Sequence, residues 1–409
     1  MTDPGSRAVS LLGLLAMLAI AWALSEDRRR VPWRALVWGI GLQLALGVLL
    51  LRTPAGELFF RAIGALATAL LRCTEAGSRF VFGPLLDVGT SFALHVLPVI
   101  VFMGSAFAVL YHLGLVQRGV GVLARGLSRT MGVSGAEGLA AVANLFVGMV
   151  ESALVVRPYL ESMTRSELFS LMTLGMATVA GSVMLAYVVL LGDAYAGHLA
   201  TASLLSAPAG LLVAKVMIPE TGTPRTAAGA SAAVERDSVN WIDAAARGAL
   251  SGLRIAAYVG ALLVAFVALI ALANGALGAL GGWLGIEGLS LQRILGLALA
   301  PLAWLMGVPW RDAAPVGALL GLKTVLNEFI AYGELAERIR SGELSPRSAV
   351  IASYALCGFA NFGSVGILLG GIAGLAPSRH AEVASLGLRS IASGSLAAFM
   401  TACVAGMLI

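Results

Sequence analysis

Long stretches without charged side chains constrain this chain more than any other feature. Eight segments contain no Asp, Glu, Lys or Arg over 17 or more residues, and a helix needs roughly 17–25 apolar residues to cross a bilayer. Only 12% of the 409 residues are charged, whereas soluble domains contain about 25%. The sequence therefore predicts an all-α polytopic membrane protein with eight transmembrane helices, in segments 8–25, 35–51, 88–117, 168–192, 194–214, 255–286, 348–378 and 390–409.

Arginines between these segments indicate the orientation of the chain. Arg28, Arg29 and Arg30 follow the first segment, and cationic loops remain on the cytoplasmic side of a membrane. We therefore expect the first segment to be a retained span with its N-terminus outside. The polar residues 218–248 are expected to form a cytoplasmic linker. The net charge of +5 fits cytoplasmic arginines better than a nucleic-acid partner.

Two further segments have the pattern of amphipathic helices. In residues 57–79, all five charged side chains fall within a sector of about 60° on a helical wheel, which is typical of a helix lying in the bilayer interface. Residues 114–130 place three arginines within about 40°, and we expect them to face cytoplasmic lipid headgroups. The first two spans and the interfacial helix together form a predicted N-terminal scaffold, residues 1–85.

Two apolar segments carry charges that prevent them from crossing as simple helices. They cover about 134–158, which contains Glu151, and about 294–345, which contains Glu328. Segments of this kind are candidates for re-entrant hairpins. Irregular backbone at membrane depth is tolerated only where it lines a cavity or is buried in protein, so the hairpins point to an internal site.

Each predicted hairpin is followed by a span with Gly-Ser-Val near its middle. These spans cover about 168–192 and about 348–375, and their small residues predict broken helices. The same order on both sides of the linker predicts an inverted repeat, with halves 86–217 and 249–409. Transporters place their substrate sites at such repeat interfaces, on discontinuous helices near the midplane.

Polar residues in these elements are the candidate site. A carboxylate at membrane depth is costly and is therefore a functional candidate by default, which singles out Glu151 and Glu328. Their structural alternative is an ion pair with Arg157 or Lys323 that holds a hairpin together. Asn361 and Ser364 lie where the second broken helix should unwind, and they could bind a polyhydroxylated ligand or act as interhelical hydrogen bonds.

A second set of residues offers oxygen ligands of the kind that a small hard cation prefers. Asn144 and Thr178 supply neutral side-chain oxygens. Val147 and Val179 lie beside them in sequence and would contribute backbone carbonyls. The residue types thus suggest a cation site, although their convergence depends on the fold.

Four stretches carry a resemblance to a known family: 143–159, 172–183, 307–310 with Leu326-Asn-Glu-Phe329, and 354–367, which includes Gly358-Phe-Ala-Asn-Phe-Gly-Ser-Val365. With these motifs the chain resembles the concentrative nucleoside transporter family from about residue 90 to the C-terminus. The resemblance implies a homotrimer in a bacterial inner (plasma) membrane, with one pocket per subunit. It also implies secondary active uptake of nucleosides, coupled to Na⁺ or protons.

The resemblance assigns roles to individual residues. The ribose hydroxyls would be held by Glu328, Asn361 and Ser364, with Phe359 packing near the ligand. Glu151 corresponds to the glutamate of the first hairpin. The remaining assignments are Val183, close to the base, and the sodium ligands Asn144, Val147, Thr178 and Val179.

One departure from the family pattern concerns the base. The pattern Gly-Gln-Thr/Ser-Glu reads here as Gly148-Met149-Val150-Glu151, so two polar side chains that address the base edge are replaced by apolar ones. Loss of a buried hydrogen-bonding pair costs about 1–3 kcal/mol. The protein therefore relies on ribose and water-mediated contacts, prefers a different base, or carries a related glycoside; the sequence leaves these three open.

The leading hypothesis is a sodium-coupled symporter for nucleosides or nucleoside-like molecules that works by alternating access. One alternative is a proton-coupled transporter of another glycoside-like substrate, with Glu151 as the proton carrier. A second alternative is an intramembrane enzyme, which would need a nucleophile and base or a metal cluster. No His or Cys accompanies Glu151 or Glu328 in its motif, and we assign no catalytic residue. A passive channel is disfavoured by the broken-helix repeat.

Overall fold

The computed structural model describes residues 4–89, 91–227, 229–230 and 238–409, and within these ranges the chain is helical without β-strands. The first half contains α1 (Pro4–Ala23), α2 (Trp33–Arg52), α3 (Pro54–Phe82), α4 (Leu97–His112), α5 (Leu115–Met131), α6 (Gly135–Phe146), α7 (Met149–Val155), α8 (Arg157–Leu160), α9 (Arg165–Ala177), α10 (Gly181–Leu191) and α11 (Ala196–Met217). The second half contains α12 (Trp241–Leu284), α13 (Leu291–Leu305), α14 (Trp310–Val325), α15 (Glu328–Arg340), α16 (Pro346–Ala355), α17 (Phe362–Leu375) and α18 (His380–Leu408).

Eight helical segments of the described chain are long and apolar enough to cross a membrane, so the all-α polytopic class is confirmed. Their membership differs from the predicted set in two places. Pro54–Asp87 qualifies by length and composition, so the interfacial position predicted for 57–79 stays a prediction. The predicted span 348–378 is interrupted and consists of two short helices, α16 and α17.

The predicted linker is shorter than 218–248. Residues 241–248 form the first two turns of α12, because the Asn240 side chain caps this helix by accepting a hydrogen bond from the backbone N–H of Asp243 at 2.9 Å. Capping of this kind satisfies an amide that the first turn would otherwise leave unpaired. Residue 228 and residues 231–237 of the predicted linker lie outside the described residues.

The segment 294–345 contains a further helix in addition to the predicted hairpin. Helices α13 and α14 meet at a bend of 116°, and the turn that carries Glu328 lies between α14 and α15. The hairpin proper therefore corresponds to residues 310–340, and α13 is a separate helix packed along α14. The first hairpin agrees more closely with its predicted range, since α6 and α7 cover 135–155.

The two halves show the same order of helices. A membrane-spanning helix (α4 or α12) is followed by a packing helix (α5 or α13), a hairpin (α6–α7 or α14–α15), a broken helix (α9–α10 or α16–α17) and a closing helix (α11 or α18). Each hairpin tip packs against the broken helix of the other half, α7 on α17 and α15 on α10. The two halves therefore meet at their interrupted elements.

Helices α4 and α12 pack closely along their length because glycines line the contact. A Cβ atom at Gly252 would lie 2.7 Å from the backbone oxygen of Ile100, and one at Gly248 would lie 2.5 Å from the Cβ of Ala108. The spacing Gly248-x-x-x-Gly252 places both glycines on one face, which allows the backbones of membrane helices to approach.

We expect Gly252→Ala to destabilise the protein by about 1–3 kcal/mol, the range for overpacking a close contact. The thermal unfolding midpoint of the detergent-solubilised protein measures this effect. Gly275→Ala on the same helix is the matched control, because a Cβ there meets no atom within 4 Å. Equal midpoints for both variants would contradict the assigned α4–α12 packing.

Candidate substrate and cation sites

A cavity of about 780 Å³ lies where the hairpin tips and broken helices face α4 and α12. Its volume falls within the roughly 300–1,000 Å³ of small-molecule pockets. The structure brings all eight residues predicted to bind substrate to its wall: Met149, Val150, Glu151, Val183, Glu328, Phe359, Asn361 and Ser364. The two hairpins and two broken helices therefore contribute to a single cavity.

Four helices begin at the edge of this cavity, namely α7, α10, α15 and α17. The first turn of a helix leaves backbone N–H groups unpaired and carries partial positive charge. Glu151 lies in the first turn of α7 and Glu328 in the first turn of α15. These helix ends stabilise the two carboxylates at membrane depth, where isolated charges are costly.

The Glu328 carboxylate is held from two sides. Its Oε1 accepts a hydrogen bond from the Tyr187 hydroxyl at 3.1 Å, and its Oε2 accepts one from Asn361 Nδ2 at 2.9 Å. The Tyr187 ring stacks on Tyr332 with 4.5 Å between centroids and meets the edge of Phe329 at 4.8 Å. Because its partners are packed in this way, the carboxylate has one well-defined orientation at the cavity wall.

Asn361 performs two tasks at the break between α16 and α17. Its Nδ2 donates to Glu328, while its Oδ1 accepts from the backbone N–H of Ser364 at 2.7 Å and so caps α17. An amide side chain can donate through its nitrogen and accept through its oxygen at the same time. The break therefore places Asn361, Ser364 and the neighbouring Phe359 at the same wall of the cavity.

The tip of the first hairpin is shaped by Gly148. This residue has φ of +112°, and a Cβ there would lie 2.9 Å from Glu151 Oε2. The side chain of Val150 packs on α17, since a Cβ at Gly371 would lie 2.9 Å from Val150 Cγ2. A Cβ at Gly175 would likewise lie 3.1 Å from the Cβ of Met149. Both side chains therefore pack between helices, and both also line the cavity.

The predicted cation residues cluster where α6 ends beside the break of α9. Asn144 Nδ2 donates to the backbone oxygen of Leu174 at 2.7 Å and to Thr178 Oγ1. Within the described chain, Asn144 Oδ1 is buried without a hydrogen-bond partner. Buried polar atoms normally have partners, and an unpaired neutral oxygen beside a broken helix is the kind of ligand that fits Na⁺.

The two valines of the predicted cation set are in different surroundings. Val179 is fully buried just beyond Thr178, and its backbone oxygen accepts a hydrogen bond from Ser203 Oγ at 3.3 Å. Val147 caps the C-terminus of α6 and lines the cavity. Val147 thus connects, along the chain, Asn144 near the end of α6 with the cavity residues that begin at Met149.

Tyr187 is a site residue that the sequence patterns did not predict, and Lys323 has a hydrogen-bond partner that they did not predict. Tyr187 is the single polar side chain near the centre of the otherwise aliphatic helix α10, which was the available signal for a buried hydrogen bond. Lys323, the alternative ion-pair partner of Glu328, donates from its ammonium to the backbone oxygen of Ala355 at 3.0 Å.

Family models match most of the chain. "Na+ dependent nucleoside transporter N-terminus" matches residues 12–85, "Nucleoside recognition" matches 93–194, and "Na+ dependent nucleoside transporter C-terminus" matches 198–406. Because these models and the related proteins describe nucleoside transporters, the chain is a membrane transporter and not an enzyme. This chain belongs to the Na⁺-dependent nucleoside transporter family, as its resemblance to concentrative nucleoside transporters predicted.

Relatives and solved structures support this membership. The chain is 46% identical to "Uncharacterized transporter YutK" of Bacillus subtilis, with 98% of each chain covered. It is 40% identical to "Sodium/nucleoside cotransporter 1" of Rattus norvegicus, over 98% of this chain and 64% of the relative. The structure of CNTnw in an inward-facing substrate-bound state matches with a TM-score of 0.93 and 42% identity, over 98% of both chains.

We expect Glu328→Gln to weaken nucleoside binding by about 1.5–3 kcal/mol, the range for hydrogen bonds to charged groups. Deoxyribose analogues should lose less on this substitution than ribonucleosides do, because they present fewer hydroxyls to the carboxylate. Calorimetric titration of the purified protein measures both.

Glu334→Gln is the matched control for this substitution. Glu334 lies on the same helix and pairs with Arg338 at 2.9 Å, away from the residues that line the cavity. If Glu328→Gln and the unmodified protein bind nucleosides with the same affinity, this result contradicts a role for Glu328 in nucleoside binding.

Proposed function

We propose that the protein is a secondary active symporter that takes up nucleosides or nucleoside-like molecules together with Na⁺ by alternating access. The observation that carries this proposal is the Glu328 carboxylate, held by Tyr187 and Asn361 at the wall of a cavity formed by both repeats. Relatives named as sodium/nucleoside cotransporters support the substrate class. CNTnw structures in inward-facing, intermediate and outward-facing states support the mode of transport.

The part of the cavity around Glu328 is suited to bind the sugar, because this carboxylate can accept further hydrogen bonds. A carboxylate offers about four acceptor positions on its two oxygens, and Tyr187 and Asn361 occupy one on each oxygen. The remaining positions are available to sugar hydroxyl donors. Ser364 adds a hydroxyl at the same wall of the cavity, which suits a ligand with adjacent hydroxyls.

The base-binding half is apolar. Met149, Val150, Val183 and Phe359 line the cavity and present no side-chain donor or acceptor to a base edge, apart from the weak sulfur acceptor of methionine. A flexible, polarizable thioether packs against many flat rings. We propose that the pocket selects bases by shape, and that Glu151 lies at the hairpin end of this half.

Sodium would be bound by Asn144, Val147, Thr178 and Val179, with the unpaired Asn144 Oδ1 as the main support. The loop 147–148 directly connects this site to Met149, Val150 and Glu151 at the cavity. An ion that orders the end of α6 therefore also orders the hairpin tip. This connection gives a physical route by which Na⁺ binding raises nucleoside affinity.

We also propose the assembly and location that the family resemblance implies, a homotrimer in a bacterial inner (plasma) membrane. Bacterial relatives of nearly equal length from Bacillus subtilis and Haemophilus influenzae support the bacterial setting. Many apolar side chains of α12 are exposed, and such a surface is suited to contact with lipid or with neighbouring subunits. The remaining polar insert, at residues 218–240, is proposed to be cytoplasmic.

Uptake of labelled nucleoside into proteoliposomes tests the proposed function. We expect accumulation above equilibrium with an inward Na⁺ gradient at fixed pH, and equilibration without it. Asn144→Ala should flatten the dependence on Na⁺, because it removes the candidate oxygen ligand. Uptake that follows a pH gradient and ignores Na⁺ would contradict sodium coupling.

A second experiment tests the apolar part of the cavity that is proposed to bind the base. The double substitution Met149→Gln with Val150→Thr restores a polar pair, and we expect it to raise uridine affinity by about 1–3 kcal/mol, the value of buried hydrogen bonds otherwise left unmade. The gain should be smaller for ligands without the uracil edge. Binding of uridine, cytidine, adenosine and inosine to both proteins provides the comparison. An unchanged rank order and uridine affinity would show that these residues serve helix packing alone.

A further inference from the structure

The two hairpins end their first helix in the same way, but with different chemistry. Asn144 lies two residues before the end of α6, and Lys323 lies two residues before the end of α14. A two-residue loop then follows in both, 147–148 and 326–327, before the next helix begins. Asn144 and Lys323 therefore occupy equivalent positions in the two repeats.

Both side chains reach the carboxyl end of the first part of a broken helix. Asn144 Nδ2 donates to the backbone oxygen of Leu174 in the last turn of α9, and Lys323 Nζ donates to that of Ala355, the last residue of α16. Carbonyl groups at a helix C-terminus carry partial negative charge. The Leu174 oxygen also accepts hydrogen bonds from the backbone N–H and the hydroxyl of Thr178, each at 3.2 Å. Both breaks therefore favour a positive charge at this position.

Asn144 and Lys323 differ in whether they offer an oxygen ligand to an external ion. Asn144 presents a buried oxygen that has no hydrogen-bond partner in the described chain, and an amide oxygen is a suitable ligand for a small cation. Lys323 carries three donors, no acceptor and its own positive charge. Its side chain is almost fully buried, with 1% of the residue exposed.

We propose that the ammonium of Lys323 is a tethered cation that takes, in the second repeat, the place that the coupling Na⁺ takes in the first. The inference rests on the proposed sodium site at Asn144 and extends it to the number of ions. One Na⁺ is bound per nucleoside because the equivalent position is already filled by a side chain. Replacing Lys323 by a residue with an amide oxygen should then create a second site for an external cation.

The test is a Na⁺ titration, with choline as the replacement cation, of Lys323→Asn beside the unmodified protein. Two readouts are followed: the thermal unfolding midpoint in detergent and the initial rate of nucleoside uptake. Since a Hill coefficient rises at most to the number of sites, we expect about 1 for the unmodified protein and a value between about 1 and 2 for Lys323→Asn. The variant should also be less stable in choline and regain stability in Na⁺.

Three further variants give the controls. Lys323→Met removes the charge without adding an oxygen, so its lost stability should not return with Na⁺. Lys215→Asn replaces the other lysine of the chain, which is buried against Glu137 at 2.6 Å, and should keep one-site Na⁺ dependence. Asn144→Lys places a tethered cation in the first repeat and should make the unfolding midpoint independent of Na⁺.

Identical one-site Na⁺ curves for Lys323→Asn and Lys323→Met would overturn the proposal. Lys323 would then act only through its hydrogen bond to the Ala355 carbonyl. If Lys323→Asn does not fold, Asn144→Lys decides the matter: retained Na⁺ dependence of its midpoint contradicts the equivalence of the two positions. A lack of any Na⁺ effect on the unmodified protein refutes the sodium coupling itself. That outcome is distinguishable because it does not depend on either variant.

Discussion

The interruption of helices at membrane depth is the constraint on which the rest of this structure depends. A helix that ends inside the hydrocarbon region leaves backbone groups that have no water to bind, and each unpaired group costs several kcal/mol. Here side chains of the hairpins and breaks satisfy part of this demand. Asn361 caps α17, Asn327 caps α15 by accepting from the Ile330 N–H, and Asn144 and Lys323 approach the carboxyl ends of α9 and α16.

These same contacts create the cavity and its chemistry. Because α7 packs against α17 and α15 packs against α10, each hairpin tip meets a helix from the other repeat. Glu328 in one half is therefore oriented by Tyr187 in the other half, at 3.1 Å. A shift of either repeat changes the surroundings of this carboxylate, which links the proposed substrate binding to relative motion of the halves.

The fold class was predictable from sequence because charge-free stretches of spanning length have few alternatives in a membrane protein. The location of the site was predictable for a related reason, since Glu151 and Glu328 interrupt apolar segments. The role of Tyr187 depends on a contact 141 residues away in sequence, which no local pattern reveals. The start of α12 was missed because its Ala-rich first turns resemble a linker, and only the Asn240 cap marks it.

We infer that the candidate cation site at Asn144 and the candidate nucleoside site at Glu328 are coupled through the tip of the first hairpin. Calorimetric titration of the purified protein tests this directly, with nucleoside titrated at saturating Na⁺ and in choline, and with Na⁺ titrated with and without nucleoside. Binding linkage is reciprocal and typically amounts to about 5–150-fold. We therefore expect each ligand to raise the affinity of the other by one common factor in this range. Affinities that do not depend on the other ligand would contradict the account.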